Sequence, residues 1–203
     1  MTWPDARRPV RRRRALRRTG APYGRPAILF VCTANRCRSP LAAALMRAVL
    51  PDDAAEVTAA GLLPGGEPMP EAGLKVAAEF GLDLRGHVSR RLDVGTARSA
   101  DVVLTMTRHQ AREVVAELPE LWPRVFTAKQ FTRWLTQHPP VAGLTRDWLS
   151  AEAADRSPLE LLGADPADDI EDPMGKSAGT WRRVAGELLS AADQLAGALT
   201  ADR

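Results

Sequence analysis

The sequence predicts a three-layer α/β fold: a central four-stranded parallel sheet with helices on both faces. Three observations carry that prediction. Short apolar runs alternate with amphipathic stretches of helical length, the pattern of strands joined by crossover helices. The first run is apolar at every position, as in a strand buried on both faces. The handover from that run to the next helix is a short polar loop, Cys32-Thr33-Ala34-Asn35-Arg36-Cys37-Arg38.

Each element has its own justification. Ala27-Ile28-Leu29-Phe30-Val31-Cys32 is the first strand. Ser39-Pro40 opens a helix over Leu41 to Leu50, because Ser is a favoured N-cap and Pro a favoured first helical residue. Glu56-Val57-Thr58-Ala59-Ala60 is a second strand, ended by Gly61. Apolar periodicity from Pro70 to Phe80 predicts a helix closed by Gly81. Asp101 to Met106 is the third strand, a helix follows near Arg108–Leu118, and Arg124-Val125-Phe126-Thr127 is a shorter fourth strand. The last helix, Thr180 to about Leu199, sets Trp181, Val184, Leu188, Leu189, Ala192, Leu195 and Leu199 largely along one stripe. Residues 138–171 carry several prolines and little periodicity, which predicts a long, partly helical excursion over the surface.

Composition narrows the function classes. The chain has 203 residues, enough to bury a substantial core, and only two cysteines, too few for a disulfide scaffold. No apolar run approaches the roughly 18 residues of a membrane helix. The net charge of +3 is a sum of unlike parts. Residues 1–26 hold nine Arg and one Asp, or +8, so residues 27–203 carry 3 − 8 = −5. The basic character therefore belongs to the tail and not to a body built to grip nucleic acid. A tail of that charge density cannot bury enough apolar surface to fold, so residues 1–26 are expected to be a disordered, solvated extension, with an anionic partner (nucleic acid or membrane lipid) as the alternative role. Its Arg pairs lack the apolar stretch of an export signal, and the expected location is the cytoplasm.

The chemistry is expected in the loop after the first strand. Successive backbone N–H groups there form a concavity at the positive end of the following helix, an anion site before any side chain is counted. Arg38 adds a planar fork that holds two phosphate oxygens at once. Cys32 ends the strand in the same field, and a thiol beside a helix N-terminus and a guanidinium is favoured as the nucleophilic thiolate. Asn35 suits the tight loop because Asn tolerates left-handed backbone angles. The spacing alone says little: with 25 Arg in the chain, any Cys has roughly a one-in-eight chance of an Arg six positions on. The strand before and the helix after give it force, and they complete the predicted fold with a phosphate-binding loop after its first strand.

Val31-Cys32-Thr33-Ala34-Asn35-Arg36-Cys37-Arg38-Ser39-Pro40 closely resembles the signature of the low-molecular-weight protein tyrosine phosphatases. Thr58-Ala59-Ala60-Gly61, Gly86-His87-Val88-Ser89-Arg90-Arg91-Leu92 and Ala100 to Met106 resemble later blocks of that family, in its order. The resemblance covers about residues 27–127 and resumes at 168–199; the stretch between resembles insertions of some Arg-rich bacterial members. It implies a hydrolase of protein phosphotyrosine that works through a cysteinyl-phosphate intermediate, with no metal and no cofactor. It implies Cys32, Arg38 and Asp172 as catalytic residues, Asp172 being the acid of the Asp172-Pro173 pair that protonates the leaving group. Thr33, Ala34, Asn35, Arg36, Cys37 and Ser39 would form the phosphate-binding loop. Ser39, besides capping, would hydrogen-bond the Cys32 thiolate, and Thr58 and His87 would support the loop. Cys37 stands where some members form a protective disulfide with the nucleophile.

Two positions depart from the family. Ala34 replaces the commoner Gly, acceptable if its backbone stays in an ordinary region. Met174 stands where many members place an aromatic against the substrate ring, and the other candidate pocket walls, Leu62 and Leu63, are also aliphatic. Asp168, Asp169 and Glu171 are expected to be merely solvated. The expected partners are a phosphorylated protein and phosphate or other oxyanions. The rival readings are an arsenate reductase using a small external thiol, since a three-cysteine relay needs more than Cys32 and Cys37, and a non-catalytic phosphate sensor.

Overall fold

The structure, a computed structural model, describes residues 25–52, 54–140, 144–163 and 165–200. The expectation of disorder for residues 1–26 falls almost wholly outside them. Four strands, β1 (Ala27–Cys32), β2 (Glu56–Gly61), β3 (Val102–Thr105) and β4 (Val125–Thr127), form one parallel sheet in the order β2-β1-β3-β4. Around it lie α1 (Arg38–Val49), α2 (Glu71–Glu79), α3 (Val94–Ser99), α4 (Arg108–Glu117), α5 (Ala128–Gln137), α6 (Arg146–Glu152) and α7 (Ala178–Thr200). No described helix is long and apolar enough to cross a membrane.

The alternation of a strand sorts the core into two layers. Ile28, Phe30 and Cys32 face one side, with Leu41 and Leu45 of α1, Phe131 of α5 and Trp181, Val184 and Leu188 of α7. Leu29 and Val31 face the other, with Ala97 of α3 and Ala111 and Val114 of α4. Both layers are apolar beside β1 because that strand is covered on both faces, which is why it reads as an unbroken apolar run. The order β2-β1-β3-β4 puts β1 at the switch point, where the chain leaves for β2 on one side and β3 on the other. The crevice beyond the carboxyl ends of such strands is the ligand-binding end of an open α/β sheet.

One local expectation is corrected, and two stretches gain detail. Ser39 does not cap α1; the N-cap is Cys37, and no side chain satisfies the cap. The Ser39 hydroxyl is instead engaged with Cys32, Asn35 and the Ala60 carbonyl, and the first N–H groups of α1 are left for an anion. Residues 128–137, unassigned from sequence, form α5, which the capping box Thr127/Gln130 starts. Its signal was present: Ala128, Phe131, Thr132 and Leu135 are buried at helical spacing. The stretch 138–171 does carry helix, in α6 and the 3-10 turn Pro158–Leu161. It is pinned by Arg156, whose guanidinium stacks on Trp122 and Phe126 at 4.5 and 3.5 Å from the ring centroids.

Candidate active site

The loop from Cys32 to Cys37 joins the end of β1 to the start of α1, and its shape is set by Asn35. Asn35 has φ +53°, the one left-handed non-glycine residue among those described, so Ala34 keeps an ordinary backbone and needs no glycine. The Asn35 side chain, fully buried, donates from Nδ2 to Ser39 Oγ at 2.9 Å and accepts at Oδ1 from the Arg90 backbone N–H at 3.0 Å. Its carbonyl accepts from His87 Nε2 at 2.6 Å, which fixes the proton of that imidazole on Nε2. At the other end of the loop, the buried Gln110 of α4 donates to Thr33 Oγ1 at 3.0 Å while its Oε1 accepts from Met106 N–H at 3.0 Å.

Neighbouring backbone closes the cradle from below. Leu62 and Leu63 donate N–H to the carbonyls of Cys32 (3.1 Å) and Thr33 (2.9 Å). Gly61 permits this approach, because a Cβ there would lie 2.6 Å from Asn35 N. Thr58 pairs in register with Leu29, and among the described residues the side-chain support comes from His87, Gln110 and Asn35 itself, with none from Thr58.

Cys32 is buried, its Sγ 3.1 Å from Ser39 Oγ. The single Ser39 proton has two acceptors, Cys32 Sγ and the Ala60 carbonyl at 3.1 Å, while Asn35 already fills one lone pair of Oγ. A negative sulfur therefore draws that proton toward itself, a charge-assisted bond. The second thiol, Cys37, is held protonated by its surroundings. Burial, then the negative charges of Asp172 and Cys32, push its pKa up to about 12, so it stays a neutral thiol at neutral pH.

Arg38 is buried and spans the gap to a remote loop. Its Nη2 donates to Asp172 Oδ2 at 2.7 Å and its Nη1 to the Ile170 carbonyl at 3.1 Å, while Nε is buried with no partner. Asp172 is half-exposed, and its other oxygen accepts the Met174 N–H at 3.1 Å. Arg38 thus joins Asp172 across 134 positions, and Asp172, Cys32 and Arg38 each act electrostatically on the Cys37 thiol of the loop. Arg36 is turned elsewhere: its Nε donates to the Pro68 carbonyl at 3.0 Å. Leu63 and Met174 are exposed, whereas Leu62 is half-buried against the second core layer.

One expectation for this loop fails. Asp168 is not solvated: it is completely buried, with Oδ2 accepting from Arg108 Nε at 2.6 Å and Oδ1 from Arg133. Asp169 caps the first N–H of α4, that of Arg108, at 2.8 Å, and the exposed Glu171 pairs with Arg183. Sequence reasoning missed Asp168, Gln110 and Arg90 because their partners lie far along the chain.

Comparison with known proteins bears on the family and the fold. The family model for low molecular weight phosphotyrosine protein phosphatase matches residues 27–141. The low molecular weight protein-tyrosine-phosphatase Etp of Escherichia coli strain K12 is 36% identical over 114 residues, 55% of this chain and 72% of that one. The protein-arginine-phosphatase of Bacillus subtilis strain 168 is 31% identical over 182 residues, 87% of this chain and 98% of that one. Among solved structures, the YwlE arginine phosphatase from Geobacillus stearothermophilus superposes with a TM-score of 0.63 at 31% identity, covering 84% of this chain and 90% of that one.

Proposed function

The chain belongs to the low molecular weight phosphotyrosine protein phosphatase family, and from that premise we propose that it hydrolyses phosphotyrosine in proteins with Cys32 as nucleophile, Arg38 as phosphate fork and Asp172 as proton donor. The observation that carries the assignment of roles is the bond that Arg38, in the loop-and-helix start that follows Cys32, makes to Asp172 at 2.7 Å.

The chemistry follows from the contacts. The substrate phosphate enters a cradle of loop N–H groups at the uncapped start of α1. It supplies the acceptor that the buried Arg38 Nε lacks, relieving an unsatisfied donor that costs about 1–3 kcal/mol. The same phosphate competes with Asp172 for Nη2 and so releases the carboxyl to the leaving group. Cys32 sulfur attacks phosphorus as the P–O bond breaks, the bonding pair goes to the phenolate oxygen, and the Asp172 proton neutralises it. Asp172, now a carboxylate, takes a proton from the water that cleaves the S–P bond, and Ser39 O–H stabilises the departing thiolate. Thr33, Ala34, Asn35, Arg36 and Cys37 supply the loop backbone, held in shape by His87, Gln110 and Arg90.

A second reading, phosphoarginine as substrate, is favoured by the full-length similarity to an arginine phosphatase and by walls of Leu63 and Met174 that offer no ring to stack on. One experiment separates these. Purified protein is given phosphotyrosine and phosphoarginine peptides, phosphoserine peptide, and arsenate with a small thiol, beside Cys32→Ser and Asp172→Asn. Phosphotyrosine turnover is expected, abolished in Cys32→Ser and lowered about 10²–10⁴-fold in kcat/KM by Asp172→Asn. Turnover of phosphoarginine alone selects the second reading, and turnover unaffected by Cys32→Ser overturns the mechanism.

A further inference from the structure

Four residues before the proton donor, the chain is fixed by a cluster outside the phosphate cradle. Arg108, the first residue of α4, binds Leu162, Asp165, Asp168 and Asp169 at once. Its Nη1 donates to the Leu162 carbonyl at 3.0 Å, its Nη2 to Asp165 Oδ2 at 3.2 Å and its Nε to Asp168 Oδ2 at 2.6 Å. Its backbone N–H donates to Asp169 Oδ1 at 2.8 Å. Arg133 of α5 clasps the other oxygen of Asp168 and also the Ala167 carbonyl at 3.0 Å. The next residue, Ile170, is buried and bonded on both sides: its N–H donates to the Met106 carbonyl at 2.8 Å, and its carbonyl accepts from Arg38 Nη1 at 3.1 Å. Asp172 follows two residues later.

We propose that the Arg108–Asp168–Arg133 cluster is the positioning device of the proton donor, with Asp168 as a positioning residue that acts through Ile170 on Asp172. A carboxylate buried to this degree is tolerated only when its lone pairs are filled by cations, and here both oxygens are. The cluster is therefore rigid, and its rigidity is transmitted along two peptide units to the carbonyl that Arg38 holds. The long stretch that precedes the Asp172-Pro173 pair would otherwise have many conformations from which Asp172 had to be selected, each lowering the fraction of molecules in proton-transfer geometry. Arg133 is half-exposed and touches neither the cradle nor Asp172, so its contribution is separable from the chemistry.

The inference rests on the phosphatase reading, and its test uses the leaving group as a probe of Asp172. In the reaction the departing oxygen takes the P–O bonding pair. Phenolate needs the Asp172 proton at that moment, whereas p-nitrophenolate, whose nitro group spreads the charge, leaves almost as well without it. Asp168→Asn and the milder Arg133→Gln are compared with the unmodified protein on phenyl phosphate and p-nitrophenyl phosphate. The expected result is a loss in kcat/KM of about ten- to a hundredfold on phenyl phosphate for Asp168→Asn, smaller in the same direction for Arg133→Gln. On p-nitrophenyl phosphate the change stays within about threefold. Should Asp168→Asn fail to fold, the Arg133→Gln ratio decides alone. An equal fall on both esters, or no fall on phenyl phosphate, overturns the proposal while leaving the phosphatase reading intact. No turnover of either ester by the unmodified protein overturns both.

Discussion

At the scale of single residues, the two cysteines show how the site divides labour between chemically identical groups. Cys32 ends a strand beside the Ser39 hydroxyl, whereas Cys37 is the N-cap of α1 and is buried near two negative charges. The shift of Cys37 has a consequence for stability. Its pKa is raised in the folded state from 9.0 to about 12, so below pH 9 the group is neutral in both states and folding is unaffected. Between those values the unfolded chain loses the proton and the folded one does not, so stability falls as pH rises through the window. Urea midpoints measured from pH 8 to pH 11 are expected to drop more for the unmodified protein than for Cys37→Ala; parallel curves would show that Cys37 is not the group responsible. The identity of Asn35 is of the same kind: its left-handed φ was foreseeable from residue type and the support from His87 from the family resemblance, but its partner Arg90 was not.

The unit that matters at the next scale is the strand end and the loop it carries. The carboxyl end of β2 lies directly under the loop after β1, and Gly61 is the point of closest approach. Gly61→Ala would drive a Cβ to 2.6 Å from Asn35 N and 2.7 Å from the Ala34 carbonyl carbon, where backbone and not a flexible side chain must yield. The expected outcome is a loss of about a hundredfold in kcat/KM, in line with the cost of misplacing reacting groups by about 1 Å. A steady-state comparison checks this, and near-normal activity would mean that the cradle tolerates displacement. Elements with a local signature were legible: β1 to β4, α1, α2, α4 and α7 all lie within a few residues of their predicted positions. The start of α1 was misread because Ser39, a good cap by type, has its hydroxyl claimed by Cys32, Asn35 and Ala60. The short α3 carries little periodicity, whereas α5 was readable from its capping box and its buried spacing.

Across the whole molecule, stability and chemistry are placed in different layers. Trp181 of α7 is buried against Gly73 of α2, whose missing Cβ leaves room for the indole: a Cβ there would lie 2.7 Å from the ring. Trp181→Ala should therefore cost about 3–5 kcal/mol, measured by denaturant unfolding. KM for an aryl phosphate should change little, because no bond to the cradle passes through Trp181; a KM change as large as that of Gly61→Ala would show the layers to be coupled. The sequence by itself determined the sheet, the succession of its strands and helices along the chain, and the placing of Cys32, Arg38 and Asn35 at one strand-to-helix junction. Each of those depends on hydrophobic period, residue type or short spacing, which are local quantities. The family resemblance already named Asp172 beside Arg38; only the tertiary structure showed the bond between them across 134 positions, and that Asp168 is a buried anchor instead of a solvated acid. It also decided that Arg36 serves Pro68 while Gln110 and Arg90 serve the loop. These outcomes depend on which partners the packed sheet brings within about 3 Å, and an arginine or aspartate looks the same in sequence whether it meets water or another charge.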